Sequence, residues 1–276
     1  MDDRTLAGLR CLVWRRPGPG QLLLLHGFTG HPASWEPVVC ELEVPGQVVA
    51  PFLPGHDPRA PGFGWASFGE VVGALAAVVR ELHPGPWRLA GYSLGARVAL
   101  GLLAGASDLW SDAVLIGVNP GLEDDRSRAA RQAEDARRCE MLRNHGVSAF
   151  IEAWERLPLL ATQAGLGAEV AARQRAQRLD HDGEGLARSL EVMGLAAMPD
   201  YWPALAGIHQ PVRVVVGELD QWFRPLAARA AMCLPRGELV VVPGAGHNVV
   251  LEAPGAVSRL LEGGARRYLH AQGEAP

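Results

Sequence analysis

The chain contains no lysine, so all 26 of its Lys-plus-Arg positions are arginine. Every fixed side-chain cation is therefore a planar guanidinium fork, and any anion site must be built from such forks. Cysteine is scarce as well. Cys11, Cys40, Cys139 and Cys233 lack the paired spacing of a metal site, which predicts buried free thiols of a reducing cytoplasm and no metal centre. Long apolar runs are missing: Val71 to Val79 is among the longest and falls well short of a bilayer span, so no membrane partner is expected. The opening MDDRTLAGLRCLVW is acidic, without a long apolar core, and does not read as a secretory signal. A positive surplus is absent too. A net charge of −4 over 276 residues argues against a nucleic-acid partner while leaving room for a local cationic pocket.

What is present is enough hydrophobic sequence, 48%, to bury a large core. Short apolar runs recur as RCLVW near Leu12, QLLLLHG at Gln21, QVVAPFLPG at Gln47, WRLAGYS at Trp87, DAVLIGVNPG at Asp112, PVRVVVGELD at Pro211 and GELVVVPGAGH at Gly237. Their hydrophobicity is continuous rather than alternating, which suits strands covered on both faces. Phe68, Val71, Val72, Leu75, Val78, Val79 and Leu82 recur at helical spacing and supply one of the covers. Alternating strand and helix predicts an α/β fold with a mostly parallel sheet. Between about 122 and 202 the pattern turns charged and helical, with EDDRSRAARQAEDARRCEMLRNHG and then SAFIEAWERLPLL. This predicts a helical cap inserted into one domain spanning 1–276.

Gly91-Tyr92-Ser93-Leu94-Gly95 closes a strand pattern and opens a helix pattern, the setting in which G-x-S-x-G forms a sharp turn that lifts the serine hydroxyl off the sheet. A hydroxyl nucleophile needs a base, and the base needs an orienting acid. Asp220 follows the VRVVVGELD strand and His247 follows LVVVPGAG, giving the order Ser93, Asp220, His247; Glu218 competes for the acid role and lies less deep in its loop. Upstream, LLLLHGFTG places the N–H of Phe28 to join that of Leu94 as an oxyanion hole. His26 and His56 read as structural anchors. Arg97, four residues after Ser93 in an otherwise apolar helix, must either meet an internal carboxylate or face a pocket that takes an anion.

These features resemble the α/β-hydrolase superfamily over nearly the whole chain. Members that place an aspartate at the nucleophile position, the haloalkane dehalogenases and epoxide hydrolases, are set aside by Ser93. LHGFTG, GYSLGARVAL, NPGLEDDRSRAARQAED, FIEAWERLP, GELDQWFRPLA and PGAGHNVVLEAPGAV together resemble the 2-succinyl-6-hydroxy-2,4-cyclohexadiene-1-carboxylate synthases of menaquinone biosynthesis, cap included. The resemblance implies a lyase that expels pyruvate from a tricarboxylate, without metal, organic cofactor or obligate protein partner. It implies a triad of Ser93, Asp220 and His247, and a small anionic substrate held by Arg97, Arg128 and Arg178 among Tyr92, Trp154 and Phe223, with Arg175 the alternative to Arg178. Asn119 before PGL and the missing glycine after His56 depart from the family pattern. Arg126, Arg131, Arg137, Arg138 and Arg143 read as a solvated helix face paired with Glu134, Asp135 and Glu140. Two other chemistries suit the same residues: a serine esterase or carbon–carbon hydrolase using Ser93 covalently, and a non-catalytic ligand-binding protein on this fold.

Overall fold

The computed structural model describes residues 1–15, 20–43, 46–60, 64–82 and 86–263; the stretch 264–276 of the expected domain lies outside the described residues. Eight strands form one sheet: β1 (Asp2–Leu6), β2 (Leu9–Arg15), β3 (Gly20–Leu25), β4 (Gly46–Pro51), β5 (Trp87–Tyr92), β6 (Trp110–Ile116), β7 (Val212–Gly217) and β8 (Gly237–Val242). Their order is β1-β2-β4-β3-β5-β6-β7-β8. From β4 to β8 the neighbours run parallel, while β2 lies antiparallel to both β1 and β4. Each apolar run of the sequence becomes a strand. β1 has no such signature: DDRTL is exposed except at Leu6, and it is a strand because the tight Ala7-Gly8 turn, both residues at positive φ, folds it onto β2.

Helices cover both faces. α1 (Glu36–Glu41) lies on one side, with α2 (Phe68–Leu82) and α3 (Leu94–Gly105) on the other. Trp87, Leu89, Leu100 and Leu103 belong to the core under α2 and α3, while Leu24, Trp35, Val39 and Val215 belong to the core under α1. Between β6 and β7 the chain leaves the sheet to build the cap. This comprises α4 (Asp125–Glu155), a 3-10 segment at Pro158–Gly165, α5 (Ala168–Leu179) and α6 (Gly183–Met193). Asp124 caps α4 by accepting the Ser127 N–H at 2.8 Å, and the helix breaks at Gly146, whose φ of 78° and ψ of 172° are not helical. Cys139, Leu142, Phe150, Ile151, Leu186 and Leu190 give the cap its own small core. After β7, α7 (Phe223–Cys233) joins the α2/α3 side, and α8 (Val249–Glu252) and α9 (Pro254–Leu261) return to the α1 side.

Cys11 and Cys139 are buried free thiols, as expected, but Cys40 and Cys233 are exposed, which corrects the expectation for those two. Both sit at helix C-terminal ends, where apolar neighbours do not enclose them. Among the described residues, no helix is long and apolar enough to cross a membrane, and no group of three or more His, Cys, Asp and Glu could hold a metal ion.

Candidate active site

The turn from β5 into α3 is steric in origin. A Cβ on Gly91 would lie 2.3 Å from the Gly95 carbonyl oxygen, and one on Gly95 would lie 2.2 Å from that of Leu25, so only glycine fits at either position. Ser93 between them is held at φ 53° and ψ −108°, a conformation that costs on the order of 1–3 kcal/mol and persists where surrounding structure enforces it. Its N–H donates to the Ile116 carbonyl at 2.8 Å, which locks the turn to the neighbouring strand.

His247 reaches Ser93 from the loop after β8. Its Nδ1–H donates to Asp220 Oδ2 at 2.7 Å, leaving Nε2 to accept from the Ser93 hydroxyl at 3.1 Å. Gly117, at φ 60°, makes room for the ring: a Cβ there would come within 2.8 Å of His247 Cε1. Asp220 is almost fully buried and also accepts the Phe223 N–H at 3.2 Å. Glu218, the competing acid, is exposed and instead accepts the Gly244 N–H at 2.9 Å, so Asp220 alone among the two orients the histidine.

The two N–H groups expected of an oxyanion hole are left without an acceptor among the described residues. Leu94 begins α3 and its N–H has no intrahelical acceptor, and the Phe28 N–H has none among the described residues. The Phe28 loop is tied down by buried His26. Its Nδ1–H donates to the Gly27 carbonyl at 2.8 Å while Nε2 accepts the Leu53 N–H at 3.1 Å. Burial drives its proton affinity down to a pKa of about 3, so His26 stays neutral and serves as an anchor rather than a shuttle. His56 is likewise buried, with Nδ1 on the Pro54 carbonyl at 3.2 Å.

Above the triad lies a cavity of about 190 Å³, roofed by the cap and bordered by Tyr92, Trp154 and Phe223. Tyr92 and Phe223 do more than form a wall. Their rings lie 5.4 and 4.4 Å from the His247 ring, so both pack against the imidazole, while Trp154 meets Phe28 edge-on at 5.3 Å. Burial pushes the Tyr92 phenol above its ordinary range.

Five arginines line this cavity: Arg97, Arg131, Arg138, Arg173 and Arg178. Arg97 is buried, and its Nη1 donates to the Met193 carbonyl at 2.9 Å and toward Met198 Sδ at 3.7 Å, with no carboxylate in ion-pair range among the described residues. Burial first, then the nearby Arg131, lowers its pKa from the usual arginine range, with Asp135 offsetting part of that. Arg178 is buried between Glu155 at 3.0 Å and Gln163 at 3.1 Å, whereas Arg175 pairs with Glu155 outside the cavity; the geometry therefore favours Arg178.

Two expectations for the cap change. Arg128 does not line the cavity. It donates to the carbonyls of Ala196, Met198 and Leu122 at 2.8, 3.1 and 2.9 Å, so its hydrogen-bonding capacity goes into fastening α4 to the segment after α6. Arg131 and Arg138, read from sequence as a solvated face, turn inward instead and share Asp135 Oδ1 at 2.9 and 3.0 Å. Asp135 is buried and the Arg138 guanidinium lies over the Trp154 ring at 5.4 Å. Arg126 and Arg137 are exposed as expected, and Arg143 pairs across to Glu184 and Glu191 on α6 rather than within its own helix. The signal for the inward pair was Cys139 and Leu142: one turn apart, they mark the buried stripe that also carries Asp135.

Residues 22–260 match the alpha/beta hydrolase family. The chain belongs to it. Within this hydrolase family the chain is 33% identical, over 88% of its length and 92% of the relative's, to the 2-succinyl-6-hydroxy-2,4-cyclohexadiene-1-carboxylate synthase of Salmonella newport (strain SL254). The solved structure of MenH from S. aureus superposes with a TM-score of 0.88 at 25% identity, covering 93% of this chain and 98% of that one. An esterase from Thermogutta terrifontis shares the hydrolase fold with a TM-score of 0.78 at 24% identity, covering 94% of each chain.

Proposed function

We propose that this α/β-hydrolase is a lyase of menaquinone biosynthesis, eliminating pyruvate from 2-succinyl-5-enolpyruvyl-6-hydroxy-3-cyclohexene-1-carboxylate to give 2-succinyl-6-hydroxy-2,4-cyclohexadiene-1-carboxylate in the cytoplasm. One observation carries the reading: a triad serine opens into a cavity lined by five arginines, of which Arg97 is buried with no carboxylate partner among the described residues. A buried, unneutralised guanidinium is costly unless an anion completes it, and a tricarboxylate supplies that anion where a neutral acyl ester does not. The synthase relatives support the same choice.

In this mechanism Ser93, its proton drawn toward His247 Nε2, removes the proton α to the succinyl ketone. Asp220 holds the imidazole tautomer and stabilises its positive charge. The enolate oxygen takes the Phe28 and Leu94 N–H groups, whose stabilisation grows as the charge develops. The electron pair then moves through the ring alkene, the carbon–oxygen bond to the enolpyruvyl group breaks, and pyruvate leaves. Ser93 acts as a base and forms no acyl-enzyme.

The test mixes purified protein with freshly prepared substrate and follows pyruvate release together with diene absorbance. Enzyme-dependent release that drops at least about 1,000-fold in Ser93→Ala, with a large loss in Arg97→Ala, is the expected result. Release at the spontaneous rate from the folded wild-type protein refutes the assignment. The 3.1 Å Ser93–His247 contact also suits attack on an ester, so a burst with an activated ester and a trapped acyl-Ser93 would favour an esterase of small acidic substrates.

A further inference from the structure

The loop that presents His247 has no regular structure, yet its ring must keep Nδ1 on Asp220 and Nε2 on Ser93 at once. What fixes its backbone is a carboxylate outside the triad. Glu252, the last residue of α8, accepts the Gly246 N–H at 2.7 Å through Oε2 and the Asn248 N–H at 3.3 Å through Oε1. These are the two residues flanking His247, so one side chain grips the main chain on both sides of the base. Oε1 takes a third hydrogen bond at 3.1 Å from the Thr162 hydroxyl, which comes from the cap.

The contact between cap and loop is close. A Cβ on Gly246 would lie 2.0 Å from Thr162 Oγ1, so the two segments meet with no room for a side chain between them. Gln163, next in the chain, accepts from Arg178 in the cavity. A cavity cation and the brace of the base thus bear on adjacent residues of one short segment.

We propose that Glu252 is a positioning residue that sets the backbone of His247, and that Thr162 ties this placement to the docking of the cap. Only a carboxylate fits the role. Both of its oxygens accept, whereas glutamine at 252 would turn an NH₂ toward one of the N–H groups it must receive. The inference rests on the base role of His247 in the proposed function and not on the identity of the substrate.

A fluorophosphonate tests it without the proposed substrate. Ser93 Oγ bonds to phosphorus, the P–F bond breaks, fluoride leaves and the serine proton passes to His247. Inactivation measured over a range of probe concentrations separates the limiting rate from probe binding. In Glu252→Gln the limiting rate falls about 10- to 100-fold with probe binding unchanged, the scale expected when a catalytic group is displaced by a fraction of an ångström to an ångström. Thr162→Val lowers it several-fold, and Thr162→Ser, which keeps the hydroxyl, restores the rate lost in Thr162→Val. Circular dichroism and melting curves establish folding; if Glu252→Gln does not fold, the Thr162 pair carries the comparison. An unchanged limiting rate in folded Glu252→Gln and Thr162→Val overturns the inference, as does a Thr162→Ser protein as slow as Thr162→Val. A wild-type protein that never reacts with the probe overturns the triad reading, and this inference with it. If the probe results hold while pyruvate release fails, the substrate assignment alone is wrong.

Discussion

At the scale of single residues, the cavity concentrates cost where an anion could relieve it. Arg97 is the clearest case, a residue 8% exposed whose guanidinium donates to a carbonyl and toward a thioether sulfur. Replacing buried charge with a well-packed apolar side chain often stabilises a fold by about 1–4 kcal/mol. Arg97→Met is expected to melt at a higher temperature than wild type in the absence of substrate while losing on the order of 100-fold in kcat/KM, because truncating a buried charge contact costs about 2–5 kcal/mol. Thermal melts and steady-state kinetics on one preparation check both halves. A lower melting temperature would make Arg97 chiefly an anchor for the end of α6 through the Met193 carbonyl.

At the scale of elements, α4 separates two jobs among arginines three residues apart. Arg128 holds three carbonyls and Arg131 faces the cavity from Asp135. Arg128→Ala is therefore expected to lower stability by about 2–3 kcal/mol with KM nearly unchanged, and Arg131→Ala to raise KM with a small effect on melting. Urea titrations and KM values for the pair decide it; the reverse pattern would restore Arg128 as the ligand-binding residue. Seven strands, Ser93, Asp220 and His247 were legible in the sequence because continuous apolar runs and a glycine-flanked serine answer to local sterics. β1 was not legible, since its pairing and not its composition makes DDRTL a strand. The rotation of α4 was misread for a related reason. Arginines dominate its composition, but the apolar stripe at Cys139 and Leu142 determines which of them turn inward. That Glu252 also ties the His247 loop to the cap depends on a contact between residues 90 positions apart, which no local pattern reveals.

At the scale of the whole molecule, three neutral histidines join cap to sheet. His26 and His56 have ring centroids 4.9 Å apart and His56 and His181 5.3 Å, with His181 Nδ1 on the His56 carbonyl at 3.1 Å. Burial lowers the proton affinity of all three from the ordinary value of 6.5, to about 3 for His26. Each then binds a proton more readily in the unfolded chain. Their contribution is fully present above pH 6.5 and is lost as pH falls below it, at up to about 1.4 kcal/mol per pH unit per histidine until the folded value is reached. Chemical denaturation from pH 7.5 to 4.5 is expected to show this acid-side decline, with a shallower slope in His56→Gln; equal slopes would remove these histidines as its cause. The cap's separate core has another consequence. Phe28 packs against that core as well as against the one beneath α2 and α3, so a single ring is shared by the two apolar bodies. Because local opening follows local packing, the cap's small core is expected to release its amides to hydrogen exchange sooner than the sheet does, and equal protection in the two would show that they open as one unit. The molecule would then have two depths of stability joined at one phenylalanine, the shallower resting on the seven buried side chains of the cap core, Ala187 among them.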